Sequence, residues 1–336
     1  MNDISLNSYD YELDDELIAK FPADPADSAK LLVYYKNTQE IKHHYFYELP
    51  SILPECAIIF NDTKVFKARI YGQKTTGAKI ELFINKILAN NQFLVQIRGK
   101  VKELDELIFS DIKAIIRNVF NDGTRLVEFY KNNTILSTNE ILNFTQKYGH
   151  TPLPPYIKRS DNKKDEENYQ SIFAKNIGAV AAPTASLHFT KNLMSKLKNF
   201  KQAYITLHVG AGTFANVEHE NILEHKMHSE YYNLSNEAIN LINSDIPLLG
   251  VGTTVTRTIE YYARTKQKNG ECDLFLHPLN KPIRQNYLLT NFHLPKSTLI
   301  MLVASFIGRD ETMRIYKEAI DKKYKFYSYG DAMLII

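Results

Sequence analysis

The chain has 336 residues, 44% apolar and 24% charged, with 41 basic side chains against 38 acidic ones and a formal net charge of +3. This suits a folded protein of one large or two ordinary domains and excludes a disordered chain, a collagen-like repeat and a disulfide-stapled miniprotein. So small a net charge over this length also excludes a generic nucleic-acid coat protein, which needs a strong non-specific field.

The charge is unevenly placed. Residues 1–16 hold six carboxylates (Asp3, Asp10, Glu12, Asp14, Asp15, Glu16) and no Lys or Arg, leaving 41 basic against 32 acidic groups, or +9, in the remainder. Asp14-Asp15-Glu16 reads as an acidic helix start, and the spacing predicts a short helix over 14–20. A Pro-bearing loop follows, then an apolar strand at Leu31–Tyr35 and another at Ala57–Phe60. From Val65 to Tyr130 the pattern becomes repeated period-2 alternation, with turn signals at Thr76-Gly77 and Asn121-Asp-Gly123. This predicts a small antiparallel β-barrel. Past His150-Thr-Pro-Leu-Pro-Pro-Tyr156, strands and helices alternate: a strand at Tyr204–Val209, a helix near 218–228, a strand at Pro247–Gly252 and a helix from Thr254 to Lys266. That is an α/β pattern. The expected layout is a discontinuous α/β domain (1–64 and 150–336) with the small barrel inserted at 65–149.

The acidic first residues lack the charged-then-apolar pattern of a secretory signal, so none is expected, and the longest strongly apolar run, Leu299–Ile307, is about half the ~20 residues needed to span a bilayer. Two cysteines, Cys56 and Cys272, form no CxxC pair. The expected compartment is the cytoplasm, with no membrane partner and no structural zinc.

Five stretches carry candidate chemistry. Gly210-x-Gly212-x-x-Ala215 follows a strand, and Glu230 lies 20 residues beyond the first glycine. That is a degenerate dinucleotide fingerprint, or equally a tight strand-end turn. His219, His225 and His228 cluster with Glu220, Glu224 and Glu230; on a helix His225 and His228 share a face, which suits acid–base work better than a metal, since no HExxH spacing occurs. Gly252-Thr253-Thr254 leads into a helix carrying Arg257, a setting for a phosphate, carboxylate or ribose, or simply a threonine cap. Pro183 and Thr184, with His188 nearby, and Asn291 with His293, sit in proline-fixed loops that make good pocket lining. Finally, Lys322–Asp331 interleaves bases with aromatics, which suits single-stranded RNA or an aromatic core strand.

Taken in order, these stretches closely resemble one family. Glu16-Leu-Ile-Ala-Lys-Phe-Pro22, Phe60-Asn-Asp-Thr63, His150-Thr-Pro-Leu-Pro-Pro-Tyr-Ile157, Ala179-Val-Ala-Ala-Pro-Thr-Ala185, Leu207-His-Val-Gly-Ala-Gly-Thr-Phe214, Glu224-His-Lys-Met-His-Ser-Glu230, Gly252-Thr-Thr254 with Arg257-Thr-Ile-Glu260, Leu289–Ser297 and Tyr327-Ser-Tyr-Gly-Asp-Ala-Met333 are similar to the S-adenosylmethionine:tRNA ribosyltransferase-isomerases of queuosine biosynthesis, nearly end to end. The resemblance implies an α/β domain with a barrel-like sheet and an inserted small barrel, acting as a monomer. It implies transfer and isomerisation of the ribosyl part of S-adenosylmethionine onto 7-aminomethyl-7-deazaguanine at the wobble position of tRNA, giving epoxyqueuosine and releasing adenine and methionine. S-Adenosylmethionine is then a consumed cosubstrate; no tightly bound cofactor and no metal is expected.

Such a reaction needs a base beside the sulfonium and an acid for departing adenine. His208, His225, His228, His293, Glu230 and Asp331 form the available pool. Gly210, Gly212, Thr213, Pro183, Thr184 and Asn291 are expected against the cosubstrate, and Thr253, Thr254 and Arg257 on its carboxylate or the RNA backbone. Ser186 stands where the family more often has Gly, and Leu276–Tyr287 departs from the family pattern, marking a loop expected near cosubstrate or RNA. Two rival readings are a nucleotide-cofactor oxidoreductase using the Gly210–Gly212 turn and a non-catalytic tRNA-binding protein.

Overall fold

The computed structural model describes residues 3–210, 212, 217 and 219–336. Residues 30–65 supply β1 (Lys30–Tyr35), β2 (Glu40–Tyr45), β3 (Ala57–Asn61) and β4 (Thr63–Val65). The alternating region supplies β5 (Arg69–Lys74), β6 (Lys79–Ile87), β7 (Gln92–Arg98), β8 (Glu106–Phe109), β9 (Ile112–Val119), β10 (Arg125–Lys131) and β11 (Thr134–Ile135). Then come β12 (Asn176–Ala179), β13 (Lys201–Leu207), β14 (Glu230–Leu234), β15 (Leu248–Val251), β16 (Asn269–Cys272), β17 (Tyr287–Asn291) and β18 (Ala332–Ile335).

The alternation closes a barrel. Strands pair in the order β10-β7-β6-β5-β8-β9, and a further β9–β10 pairing completes a six-stranded antiparallel ring. Every second side chain points inward, including Leu82, Ile84, Phe93, Val95, Ala114, Ile116, Val127 and Phe129, all fully buried. Burying each phenylalanine contributes about 1.5–3 kcal/mol. The helix Thr138–Tyr148 starts on a reciprocal cap between Ser137 and Glu140 and lays Ile141 against this core.

The second sheet has nine strands in the order β16-β14-β13-β3-β15-β17-β18-β1-β2. β3 lies between parallel β13 and β15, so all five of its residues are buried, as an unbroken apolar run requires. The mixed α/β class with an inserted antiparallel barrel is the architecture expected. Among the described residues no helix is long and apolar enough to cross a membrane.

Three local expectations are corrected. The helix over 14–20 is a single 3-10 turn, Asp15–Leu17, capped by Asp14; Pro22 follows too soon for more. The helix near 218–228 is also absent: the described residues there hold one 3-10 turn, Ile222–Glu224, and His225 is extended. The chain there pairs with the N-terminal segment instead, through an antiparallel bridge between Ser5 and Asn221 and hydrogen bonds from Ile222 N to Ile4 O and Leu6 N to Glu220 O. The basic–aromatic stretch at 322–331 is no stacking surface, because Tyr324, Phe326, Tyr327 and Tyr329 are buried and only the lysines reach solvent.

Candidate active site

Two neighbouring cavities lie at the carboxyl ends of the parallel strands, the usual ligand position in open α/β sheets. The first is narrow, about 60 Å³, and lined by Pro183, Thr184, Thr253, Thr254, Asn291 and His293, with Tyr156, Phe292, Ser297, Tyr327 and Ser328. Three turns converge to make it: the proline loop after β12, the turn from β15 into the helix Thr253–Thr265, and the loop after β17. Gly252, at φ +92°, makes the middle turn possible and is itself the helix cap, so the expected threonine cap is a glycine. Among the described lining residues none carries a charged side chain.

Hydrogen bonds fix the polar groups of this cavity. Thr184 Oγ1 donates to Asn291 Oδ1 at 2.9 Å, and Asn291 Nδ2 donates to His188 Nε2 at 3.1 Å. Burial pushes the His188 imidazole down to about 4, opposed by a hydrogen bond to the Ala26 backbone. His293 Nε2 meets Thr290 Oγ1 at 2.9 Å, and burial pushes this imidazole to about 3. Both rings are therefore neutral near pH 7; His293 can orient a ligand through hydrogen bonds but is a poor proton carrier there. Tyr156 meets Ser328 Oγ through its hydroxyl at 2.5 Å and stands beside Tyr327, with ring centroids 4.7 Å apart.

The second cavity is a broad cleft of about 860 Å³ between the barrel strands β6 and β7 and the large sheet. Arg69, Glu81, Lys86, Gln96 and Arg98 line the barrel side; Gly210, Gly212, His228 and Glu230 line the other. The two cavities share a wall, since Val180 and Gly210 face the cleft while Ala182 and Val209 face the narrow cavity. At Gly212 a side chain would meet the His228 ring at 2.6 Å, so only a glycine lets that ring lie against the backbone.

Glu230 opens β14 and is buried. It pairs with Arg257, and its other oxygen accepts the Gly210 N–H at 2.9 Å. Arg257 also donates from Nε to Leu274 O (3.0 Å) and from Nη2 to His228 O (3.1 Å) and Cys272 O (3.0 Å). The expected role of Arg257 on a ligand carboxylate or RNA phosphate thus gives way: the guanidinium is occupied inside the protein. The oxidoreductase reading weakens for the same reason, because the acid it needs for a ribose is held by an arginine.

The remaining candidates lie apart. His208 lines neither cavity; its Nδ1 faces Thr63 Oγ1 at 2.8 Å, and burial lowers its pKa against the opposing charge of Asp62. His225 has ring contacts with His228 and Phe275, with centroids 6.4 and 5.7 Å apart. Asp331 accepts the backbone N–H groups of Lys30 and Lys325, both at 2.7 Å, and burial raises its pKa. Thr213 lies outside the described residues. The 276–287 segment lines neither cavity; Glu260 ties it down by accepting N–H groups from Ile283, Arg284 and Gln285. Ser186 sits in the 3-10 turn Thr184–His188 and is absent from the positive-φ positions, so a non-glycine residue fits there.

Tyr156, Tyr327 and Ser328 line the cavity without having been singled out in the sequence, whereas Thr290 and Ser297 fall in the proline-fixed loop around Asn291 and His293 that was expected to line a pocket. Asn61 was not singled out either; its amide binds Leu207 O, Leu207 N and Thr63 N and donates to Thr254 Oγ1, joining the ends of β3 and β13 to the helix start. A buried asparagine ending an all-apolar strand is the signal that could have found it.

Residues 6–335 fit the family model described as "Queuosine biosynthesis protein". Proteins named S-adenosylmethionine:tRNA ribosyltransferase-isomerase from Campylobacter fetus and from Campylobacter jejuni strain 81-176 are 61% and 59% identical to this chain; the alignment spans all of both chains for the first and 99% of each for the second. A crystal structure of S-adenosylmethionine tRNA ribosyltransferase from Thermotoga maritima is 32% identical, with a TM-score of 0.54 over 98% of this chain and all of that one. Identity at that level along the full length, on an α/β sheet with an inserted barrel, leads to one conclusion: this chain belongs to the queuosine biosynthesis protein family.

Proposed function

We infer that this chain transfers and isomerises the ribosyl part of S-adenosylmethionine onto 7-aminomethyl-7-deazaguanine at the wobble position of tRNA, leaving epoxyqueuosine and releasing adenine and methionine. The observation that carries this reading within the molecule is the pair of cavities sharing one wall. A transfer between two bound partners needs their reacting atoms held about 3–3.5 Å apart, so donor and acceptor sites must adjoin.

The narrow cavity suits the donor. Its hydroxyls, the Asn291 amide and its aromatic walls offer hydrogen bonds and stacking without charge, the chemistry that adenine and ribose need, and at about 60 Å³ the cavity has to widen to admit them. The cleft suits the acceptor, being wide, polar and open enough for an anticodon loop with one base turned inward. His228 sits on the cleft side of the shared wall and is the proposed proton-handling group, beside a Glu230 already held by Arg257 and the Gly210 N–H, while neutral His293 holds the donor by hydrogen bonding.

Product analysis tests this directly. The protein is incubated with S-adenosylmethionine and tRNA carrying the 7-aminomethyl base. Free adenine and methionine are expected in equal amounts, matched by modified tRNA. S-Adenosylhomocysteine would instead identify a methyl transfer, and intact cosubstrate under saturating conditions would defeat the reading.

A further inference from the structure

We propose that Arg257 is a positioning residue that couples the two cavities, acting through Glu230 and the His228 backbone and touching neither substrate. The inference rests on the functional reading above and adds to it how the shared wall is held in place.

Arg257 projects from the helix Thr253–Thr265, whose first two residues line the narrow cavity. It is buried, and four of its five N–H groups are accounted for: one goes to the Glu230 carboxylate, and three go to the carbonyls of His228, Cys272 and Leu274. Glu230 and Cys272 are directly paired across β14 and β16, so the guanidinium grips both strands of that edge pair at one level. Glu230 carries the connection onward by accepting the N–H of Gly210, which lines the cleft. A continuous hydrogen-bonded path therefore runs from the helix that walls the donor cavity, through one guanidinium, to the backbone and side chains that wall the acceptor cleft.

The choice of side chain follows from this geometry. A planar guanidinium with fixed donors can serve a carboxylate and three separate carbonyls at once. A lysine ammonium has three donors on a flexible stem and leaves at least one of these acceptors unserved. The wall would then be looser while the charge is kept. A displacement of about 1 Å at reacting groups can cost on the order of 100-fold in rate.

Single-turnover adenine release by the full-length Arg257→Lys, Glu230→Gln and doubly substituted proteins is the test, with folded fraction and melting temperature measured alongside. Wild-type release must be seen first; its absence defeats the functional reading, not this one. The coupling predicts that R257K slows release at least 30-fold per folded molecule while the KM for S-adenosylmethionine moves less than about threefold, because the donor cavity keeps its lining. It also predicts that the double variant is no slower than the slower single one, since both changes break the same link. Should R257K fold poorly, E230Q breaks the same link at nearly unchanged side-chain volume, and wild-type release by E230Q would overturn the proposal. So would R257K release within threefold of wild type, a loss explained entirely by the folded fraction, or rate losses that multiply in the double variant.

Discussion

Burying an imidazole beside the narrow cavity keeps it neutral, and the protein does this twice. His188 and His293 have pKa values of about 4 and 3 against an ordinary 6.5, in both cases chiefly through burial. The unfolded chain therefore takes up protons below pH 6.5 that the folded chain refuses. The stabilising effect of keeping these rings neutral is complete above pH 6.5 and is lost as pH falls toward 4. Between pH 6.5 and 5 each ring accounts for about 2 kcal/mol of that loss. Asp331 works in the opposite direction: its raised pKa lets the folded chain bind a proton earlier than the unfolded one, offsetting part of the loss in acid. Urea midpoints at pH 7 and pH 5 measure this. The wild type is expected to lose stability over that interval, and His293→Gln, which has no ring to protonate, to lose visibly less. An equal slope for both proteins would remove His293 from the account.

At the scale of elements, what could be read in advance depended on how local the determining forces are. Barrel strands such as Lys79–Ile87 and Gln92–Arg98 announce themselves because period-2 alternation is written within each strand. The missing helix near 218–228 was not legible, because its competitor is a bridge to Ser5, whose hydroxyl donates to Glu220 215 residues away along the chain. The cavity loops were legible as proline and glycine turns. Arg257 was legible as an important cation but not in its role, since its carbonyl partners at 228, 272 and 274 come together only through strand pairing. The activity itself was legible through family resemblance and not through any single motif. The 276–287 segment shows the same dependence on tertiary context. Glu260, fully buried, accepts three successive N–H groups from residues 283–285 as well as a bond from Arg264. Glu260→Gln turns one acceptor into a donor facing N–H groups, and a loss of about 3 kcal/mol is expected. Because the segment lines neither cavity, adenine release per folded molecule should remain within about threefold while proteolysis at 276–287 accelerates. Unchanged proteolysis would show that Glu260 does not secure the loop.

For the whole molecule, a net charge of +3 now sits beside a partner as highly charged as tRNA. The cleft mixes Arg69, Lys86 and Arg98 with Glu81, Asp122 and Glu230, and the aromatics near the C-terminal lysines are buried. On the proposed placement of the RNA in this cleft, few phosphates are neutralised together and recognition leans on the base and on shape. A footprint of about three phosphates weakens binding roughly 40-fold between 50 and 200 mM salt. A slope corresponding to eight or more contacts, measured by titrating tRNA at several salt concentrations, would point to a basic surface outside the cleft.

The position of β18 ties the architecture to its own synthesis. Residues 332–335 lie inside the large sheet, parallel to β1 on one side and antiparallel to β17 on the other. On the ribosome the barrel strands, contiguous between residues 69 and 131, emerge together and can pair at once. β1 and β2, made earlier, have only each other until residue 335 has been translated and released from the exit tunnel. The site is assembled on the sheet that closes last, so a nascent chain can hold a finished barrel before it has any capacity to act on tRNA.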